Sequence, residues 1–165
     1  VCQVETANPV DVVLEMNFCY QLFMTRKQLG GYFRQVHKAL AADGILFMDA
    51  FGGYDACRVI RETRKYKGFK YIWEQASYNP IDGRMRCHIH FKFPDGSKLQ
   101  QAFTYEWRLW GLPELRELLE EAGFSRITVY WEETDPKTGE GSNVYSPATV
   151  GDADPGWICF LVAEK

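Results

Sequence analysis

A strand–helix–strand unit near the start of the chain limits its fold more than any other feature. Val10-Asp11-Val12-Val13-Leu14-Glu15-Met16 reads as a short apolar strand that breaks into a polar-aromatic turn, Asn17-Phe18-Cys19-Tyr20. A helix follows at once. Thr25 and Gln28 form a capping-box pattern, and Leu29, Tyr32, Phe33, Val36, Ala39 and Leu40 recur at helical spacing. Asp43-Gly44 is expected to end the helix, Gly taking the left-handed stop, before a second apolar strand, Ile45–Ala50. Two strands joined through a helix run parallel, and open α/β sheets bind ligands beyond the carboxyl ends of such strands. Gly30-Gly31 inside the helix should cost about 1 kcal/mol each relative to Ala; close packing against the sheet would account for them.

After Phe51-Gly52-Gly53-Tyr54 the pattern suggests a short helical stretch to about Arg64. From Phe69 to Trp110 the period changes to two. Met85, Cys87, Ile89, Phe91 and Phe93 alternate with Arg84, Arg86, His88, His90 and Lys92, a strand with one apolar and one cationic face. Phe93-Pro94-Asp95-Gly96-Ser97 is a hairpin turn. Closing Phe93 on Ser97 predicts Cys87 opposite Phe103, Met85 opposite Tyr105 and Arg84 facing Glu106. Asn79-Pro80-Ile81-Asp82-Gly83 closes a similar turn, so residues 66–110 read as an inserted three-stranded antiparallel sheet. Pro113 then starts a helix that Gly123 ends, strand Ile127–Trp131 follows, and Trp157–Ala163 is the last strand. The segment 134–156 exceeds ordinary loop length and reads as a mobile loop, with Tyr145 its only aromatic.

The bulk numbers exclude more than they assert. At 165 residues the chain is large enough for one domain with a real core. A net charge of −3 gives no support to nucleic-acid binding. No apolar run approaches the ~20 residues of a membrane helix, so no membrane partner is expected. Cys2, Cys19, Cys57, Cys87 and Cys159 show no CxxC and no paired spacing, which fits reduced thiols in a cytoplasmic protein. His88 and His90 share a strand face, but no third ligand shares their spacing and Arg84, Arg86 and Lys92 would repel a cation. That stripe reads as a solvated face opposite Glu74 and Glu106, and no metal site is expected.

Leu112-Pro113-Glu114-Leu115, Leu118-Leu119 and Ala122-Gly123-Phe124, followed by a strand, a loop and a last strand ending Val162-Ala163-Glu164-Lys165, resemble the C-terminal end of class I S-adenosylmethionine-dependent methyltransferases. Val10-Asp11-Val12-Val13 with Asn17-Phe18 is similar to that family's fourth strand and the residues beyond it. The run from Phe33 to Leu46 is similar to its next helix and fifth strand. The resemblance implies an α/β fold, a partial Rossmann-like sheet corresponding to the fourth to seventh strands, with the antiparallel sheet inserted as a cover over substrate. The family's glycine-rich loop has no match here, since neither Gly30-Gly31 nor Gly52-Gly53 fits GxGxxG spacing. Val1-Cys2 would be the remnant of the region just after the adenine-contacting acidic position. The front of the domain is therefore expected to lie outside these residues, and the isolated chain to be inactive.

By the same resemblance Met16, Asn17 and Phe18 border the methionine end of the cofactor, S-adenosyl-L-methionine. Tyr20, Asp49 and Tyr54 are candidates for the acceptor pocket, with Tyr20 or Asp49 taking a proton from a small-molecule acceptor. Flat aromatics suit an apolar or cationic acceptor, which makes Trp73, Trp107 and Trp110 candidate walls; Tyr145 would anchor the long loop over the site. The partner expected for the open front of the sheet is the absent N-terminal half or a second copy of the chain, giving a homo-oligomer. The alternative is a non-catalytic remnant that acts as a self-associating or binding module.

Overall fold

The computed structural model describes residues 6–139 and 141–165, so the reading of Val1-Cys2 lies outside the described residues. Among the described residues nine strands form two sheets, accompanied by two α-helices. The first sheet has the order β1-β2-β9-β7-β8. Its strands are β1 Val10–Glu15, β2 Leu40–Gly52, β7 Arg126–Thr134, β8 Gly141–Ala148 and β9 Trp157–Glu164. β1 and β2 run parallel, and the remaining pairs are antiparallel.

Helix α1, Arg26–Ala39, starts as its sequence requires. The Gln28 N–H donates to Thr25 Oγ1 at 3.2 Å, and Gln28 Oε1 accepts from the Met24 N–H at 3.1 Å. It ends four residues before Asp43, at a Leu40 already extended, and Gly44 lies within β2 rather than at a left-handed stop. Residues between Leu40 and Ile45 bulge out, since Val10 pairs with Leu40 and Val12 with Ile45. Helix α2, Leu112–Ala122, has Pro113 in its first turn and closes on Gly123 at φ 107. Gly30 faces this second helix and not the sheet: a Cβ there would sit 3.3 Å from Arg34 Nη1 and 3.4 Å from Leu118, close to ordinary contact, so packing against the sheet does not account for the glycine. Both helices cover one face of the sheet, where Leu46, Met48 and Ala50 of β2 pair with Ala163, Leu161 and Cys159 of β9. All six are fully buried.

The second sheet has four strands, not three. The stretch expected to be helical up to Arg64 is a 3-10 turn, Tyr54–Cys57, and then a strand, β3 Ile60–Tyr66. β3 is paired along its whole length with β4, Phe69–Tyr78, which supplies the hydrogen bonds its polar sequence does not advertise. β5, Arg84–Lys92, and β6, Lys98–Arg108, complete the order β3-β4-β5-β6. Their turn closes as expected, the Phe93 N–H donating to Ser97 O at 3.0 Å. The register then slips by two residues at a bulge where Gln101 adopts φ 48. Cys87 consequently faces Tyr105, Met85 faces Trp107, and Glu106 faces Arg86 rather than Arg84. A slip of two preserves the faces, so the apolar side stays coherent. The segment 134–156 is likewise not a bare loop, because β8 lies within it and pairs with β7.

Gly52 ends β2 directly against Trp157, and a Cβ at this position would enter the Trp157 ring. Gly53, at φ 104, faces Pro155, whose carbonyl accepts the Asp55 N–H at 2.8 Å. These two glycines let the strap 155–157 lie on the strand end. Gly52→Ala should therefore destabilise the chain by about 1–3 kcal/mol through overpacking and shift tryptophan emission, measured by denaturant unfolding followed by fluorescence. An unchanged midpoint would show that Trp157 has room to move.

Candidate functional site

The carboxyl ends of β1 and β2 open into a cleft of about 930 Å³ whose far wall is the inner face of the four-stranded sheet. On the near side lie Asn17, Phe18, Phe51 and Gly52; the far wall carries Tyr71, Trp73, Tyr105 and Trp107, with Trp157 at the rim. The rings form one connected set. Phe18 meets Phe51 edge-on at 4.9 Å, Phe51 lies 6.2 Å from Trp107, and Trp107 lies 4.7 Å from Tyr105 and 6.0 Å from Trp73.

The rim at the strand end is built by Asp49. Its carboxylate accepts the Asn17 N–H at 2.8 Å on one oxygen and the Phe18 N–H at 2.9 Å on the other. Asn17 and Phe18 both adopt left-handed backbone, φ 63 and 57. That conformation is tolerable for Asn and costly for Phe, and strain held by surrounding structure is characteristic of functional sites. Burial raises the Asp49 carboxyl above its ordinary value, while the Phe18 and Asn17 N–H groups pull it back toward the ionised form.

The other named residues divide clearly. Asn17, Phe18, Trp73 and Trp107 line the cleft. Asp49 stands behind the rim and holds it. Met16 is partly exposed beside the cleft, and its carbonyl accepts the Cys19 thiol at 2.9 Å. Tyr20 is fully buried in the helix-side core, where burial drives its phenol pKa upward, and it does not line the cleft. Tyr54 is 59% exposed and outside the cleft. Tyr145 lies on β8 against Phe160, at 4.6 Å, away from this wall. Trp110 is core, its indole N–H donating to Phe23 O at 3.1 Å.

Tyr71 and Tyr105 are cleft residues that sequence reasoning passed over, although each shares the parity of a flagged tryptophan two residues away. Gln75 gave no such signal. Its buried amide nitrogen donates to Asp55 O at 2.9 Å and to Arg58 O at 2.7 Å, fixing the turn that enters β3. The supposedly solvated histidines are buried instead. His90 Nδ1 accepts the Gln101 N–H at 3.0 Å, so its Nε2–H donates to Glu74 at 2.8 Å. His88 Nδ1 lies 2.9 Å from the Thr104 hydroxyl.

Glu15, under the same rim, is 4% exposed, and neither carboxyl oxygen has a hydrogen-bond partner among the described residues. Burial, reinforced by the Asp49 charge, pushes its carboxyl up to about 8 from 4.5. The folded chain thus keeps a proton that the unfolded chain releases. The stabilising contribution of this group is complete at low pH and is lost as pH rises from 4.5 toward about 8. Each pH unit in that window costs up to about 1.4 kcal/mol. Glu15→Gln should flatten this slope and raise Tm near the top of the window; parallel melting curves for parent and variant across it would show that Glu15 is not the group responsible.

No protein-family model and no curated protein sequence matches the chain. Solved structures do. An S-adenosylmethionine-dependent methyltransferase from Clostridium acetobutylicum is 13% identical with a TM-score of 0.66, over 99% of this chain and 61% of that one. The CcbJ methyltransferase from Streptomyces caelestis is 12% identical with a TM-score of 0.68, over 98% and 60%. CalS10, an amino pentose methyltransferase from Micromonospora echinaspora solved with S-adenosylmethionine bound, is 13% identical with a TM-score of 0.61, over 99% and 61%. Over nearly its whole length the chain shares the mixed α/β fold of these structures, and it spans about 60% of theirs.

Proposed function

We propose that this chain forms the acceptor side of an S-adenosylmethionine-dependent methyltransferase acting on a small molecule. The observation that carries the reading is the aromatic cleft at the carboxyl ends of two parallel strands, its rim held open by the Asp49 carboxylate. On this reading β1, β2, β7 and β9 are the fourth to seventh strands of the family's sheet, and the order β1-β2-β9-β7 agrees with a terminal antiparallel hairpin. S-adenosylmethionine would supply an electrophilic methyl group on sulfur, with Asn17 and Phe18, and Met16 beside them, on the rim of its methionine end. The exposed strand-end turn with its backbone fixed by Asp49 fits that task; the glycine-rich loop that would carry most of the contacts is not in this sequence. Trp73, Trp107 and Tyr105 would flank the acceptor, and methyl transfer from a sulfonium needs chiefly in-line proximity. Of the two proton acceptors named from sequence, Tyr20 is sealed in the core and Asp49, outside the cleft lining with both oxygens accepting backbone N–H groups, serves by holding the rim.

Calorimetry on the 165-residue chain should give binding of S-adenosylmethionine weaker than micromolar, that is, less favourable than about −8 kcal/mol. In a protein that also carries the glycine-rich part, Asn17→Ala should lower turnover about tenfold or more while lowering Tm only by the few degrees that correspond to the ~1 kcal/mol Ala pays in left-handed backbone. Full activity of that variant would sink the assignment of the rim.

A second reading rests on β1, an edge of its sheet among the described residues. Val12 is 50% and Leu14 68% exposed on the side away from the helices. Such an edge is a template for pairing, with either the front of the domain or a second copy. Sedimentation of the chain at micromolar concentration should show self-association. A monomer with slowly exchanging Val10–Glu15 amides would count against it.

A further inference from the structure

The outer face of the four-stranded sheet changes in charge from one end to the other. Beside the body of the protein the cations have carboxylate partners, and even Arg84 and Arg108, which face each other across β5 and β6, are held by Asp82 and Glu114. Arg86 pairs with Glu106 across β5 and β6, and Glu74 lies between Arg61, at 3.8 Å, and His90. At the far end the pairing is of like with like. Lys65 stands opposite Lys70, Lys70 opposite Lys92, and Lys92 opposite Lys98. Residues paired directly across strands project from the same face, so one row of four ammonium groups crosses the whole sheet, over about 14 Å. All four side chains are exposed, and none makes an ion pair with a carboxylate among the described residues. Lys67, in the turn between β3 and β4, extends the same end.

This arrangement is costly in isolation, because like charges directly opposite destabilise a strand pair, and here three such contacts follow in series. The cost disappears when anions lie along the row. We propose that the lysine row is a docking surface for an acidic segment of a partner protein, whose carboxylates pair with Lys65, Lys70, Lys92 and Lys98. It lies on the opposite face of the sheet from the aromatic cleft, so it is independent of the methyl-transfer reading. An anionic membrane is a poorer fit, since exposed Tyr66, Leu99 and Phe103 pair with Phe69, Phe91 and Ile89 on the cleft face, which leaves Phe93 in the β5–β6 turn as the one large apolar side chain of this end outside that face among the described residues. A nucleic acid is a poorer fit because its phosphates continue beyond the row, toward Glu74 and Glu106, on a chain of net charge −3.

The test is fluorescence anisotropy of a labelled octaglutamate peptide with the full chain. Binding should weaken severalfold between about 50 and 200 mM salt. Joint replacement Lys65→Gln, Lys70→Gln, Lys92→Gln and Lys98→Gln should weaken it about tenfold or more, with Tm unchanged or higher. Lys27→Gln with Lys137→Gln, exposed lysines elsewhere, should leave it intact. Lys92→Glu alone, a single exposed change, should weaken binding measurably and serves if the fourfold variant does not fold. Equal peptide binding by parent and row variants overturns the proposal. So does a parent that binds duplex DNA or phosphatidylserine vesicles but not the peptide.

Discussion

The two hydrogen bonds from the Asn17 and Phe18 N–H groups to the Asp49 carboxylate are the point on which the rest of the site depends. They join the ends of two neighbouring parallel strands and hold two consecutive residues in left-handed backbone. They also aim Phe18 at Phe51, and through Phe51 at Trp107, so the second sheet packs on a ring that the carboxylate has positioned. A hydrogen bond to an ionised acceptor is among the stronger polar contacts available. Here one side chain makes two of them where the backbone would otherwise relax.

A different contact ties the second sheet to the body of the protein. The Arg108 guanidinium lies 3.7 Å above the Trp110 ring and donates to Met24 O, while the Trp110 indole donates to Phe23 O. The end of β6 is thereby tied to the chain entering α1. Trp107 rests on Phe51, and the neighbouring Arg108 and Trp110 donate to the Met24 and Phe23 carbonyls, so the sheet is anchored at this one end of β6 and the cleft opens beneath its span. Gly52 and Gly53 complete it by letting the strap 155–157 come into contact with the strand end.

The four-stranded sheet then serves two environments with one alternating pattern. Its odd-numbered residues in β4, β5 and β6 place tyrosine, tryptophan and isoleucine toward the cleft. Its other face carries charge, neutralised near the body and uncompensated at the far end. Buried His88 and His90 mark the transition. They are satisfied by Thr104, Glu74 and the Gln101 backbone.

Features governed by neighbours a few residues apart were decided by the sequence itself. The capping box at Thr25, the proline start and glycine stop of α2, the closure of Phe93 on Ser97 and the parallel pair bracketing α1 all depend on local backbone preference and short-range hydrogen bonds. The aromatic wall was legible in the same way, because period two puts Trp73 and Trp107 on one face. Only the tertiary structure decided the remainder. β3 and β8 are polar and show little alternation, and they are strands because β4 and β7 offer them unpaired backbone groups. The bulge at Gln101 moved the pairing by two, since the fit of side chains across the sheet outweighs the register dictated by the turn. Tyr20 and Asp49 are both polar residues at the end of the α/β unit, yet one is sealed under α1 and the other holds the rim. Which way each side chain faces is settled by what packs against it, and that information is spread across residues far apart in the chain.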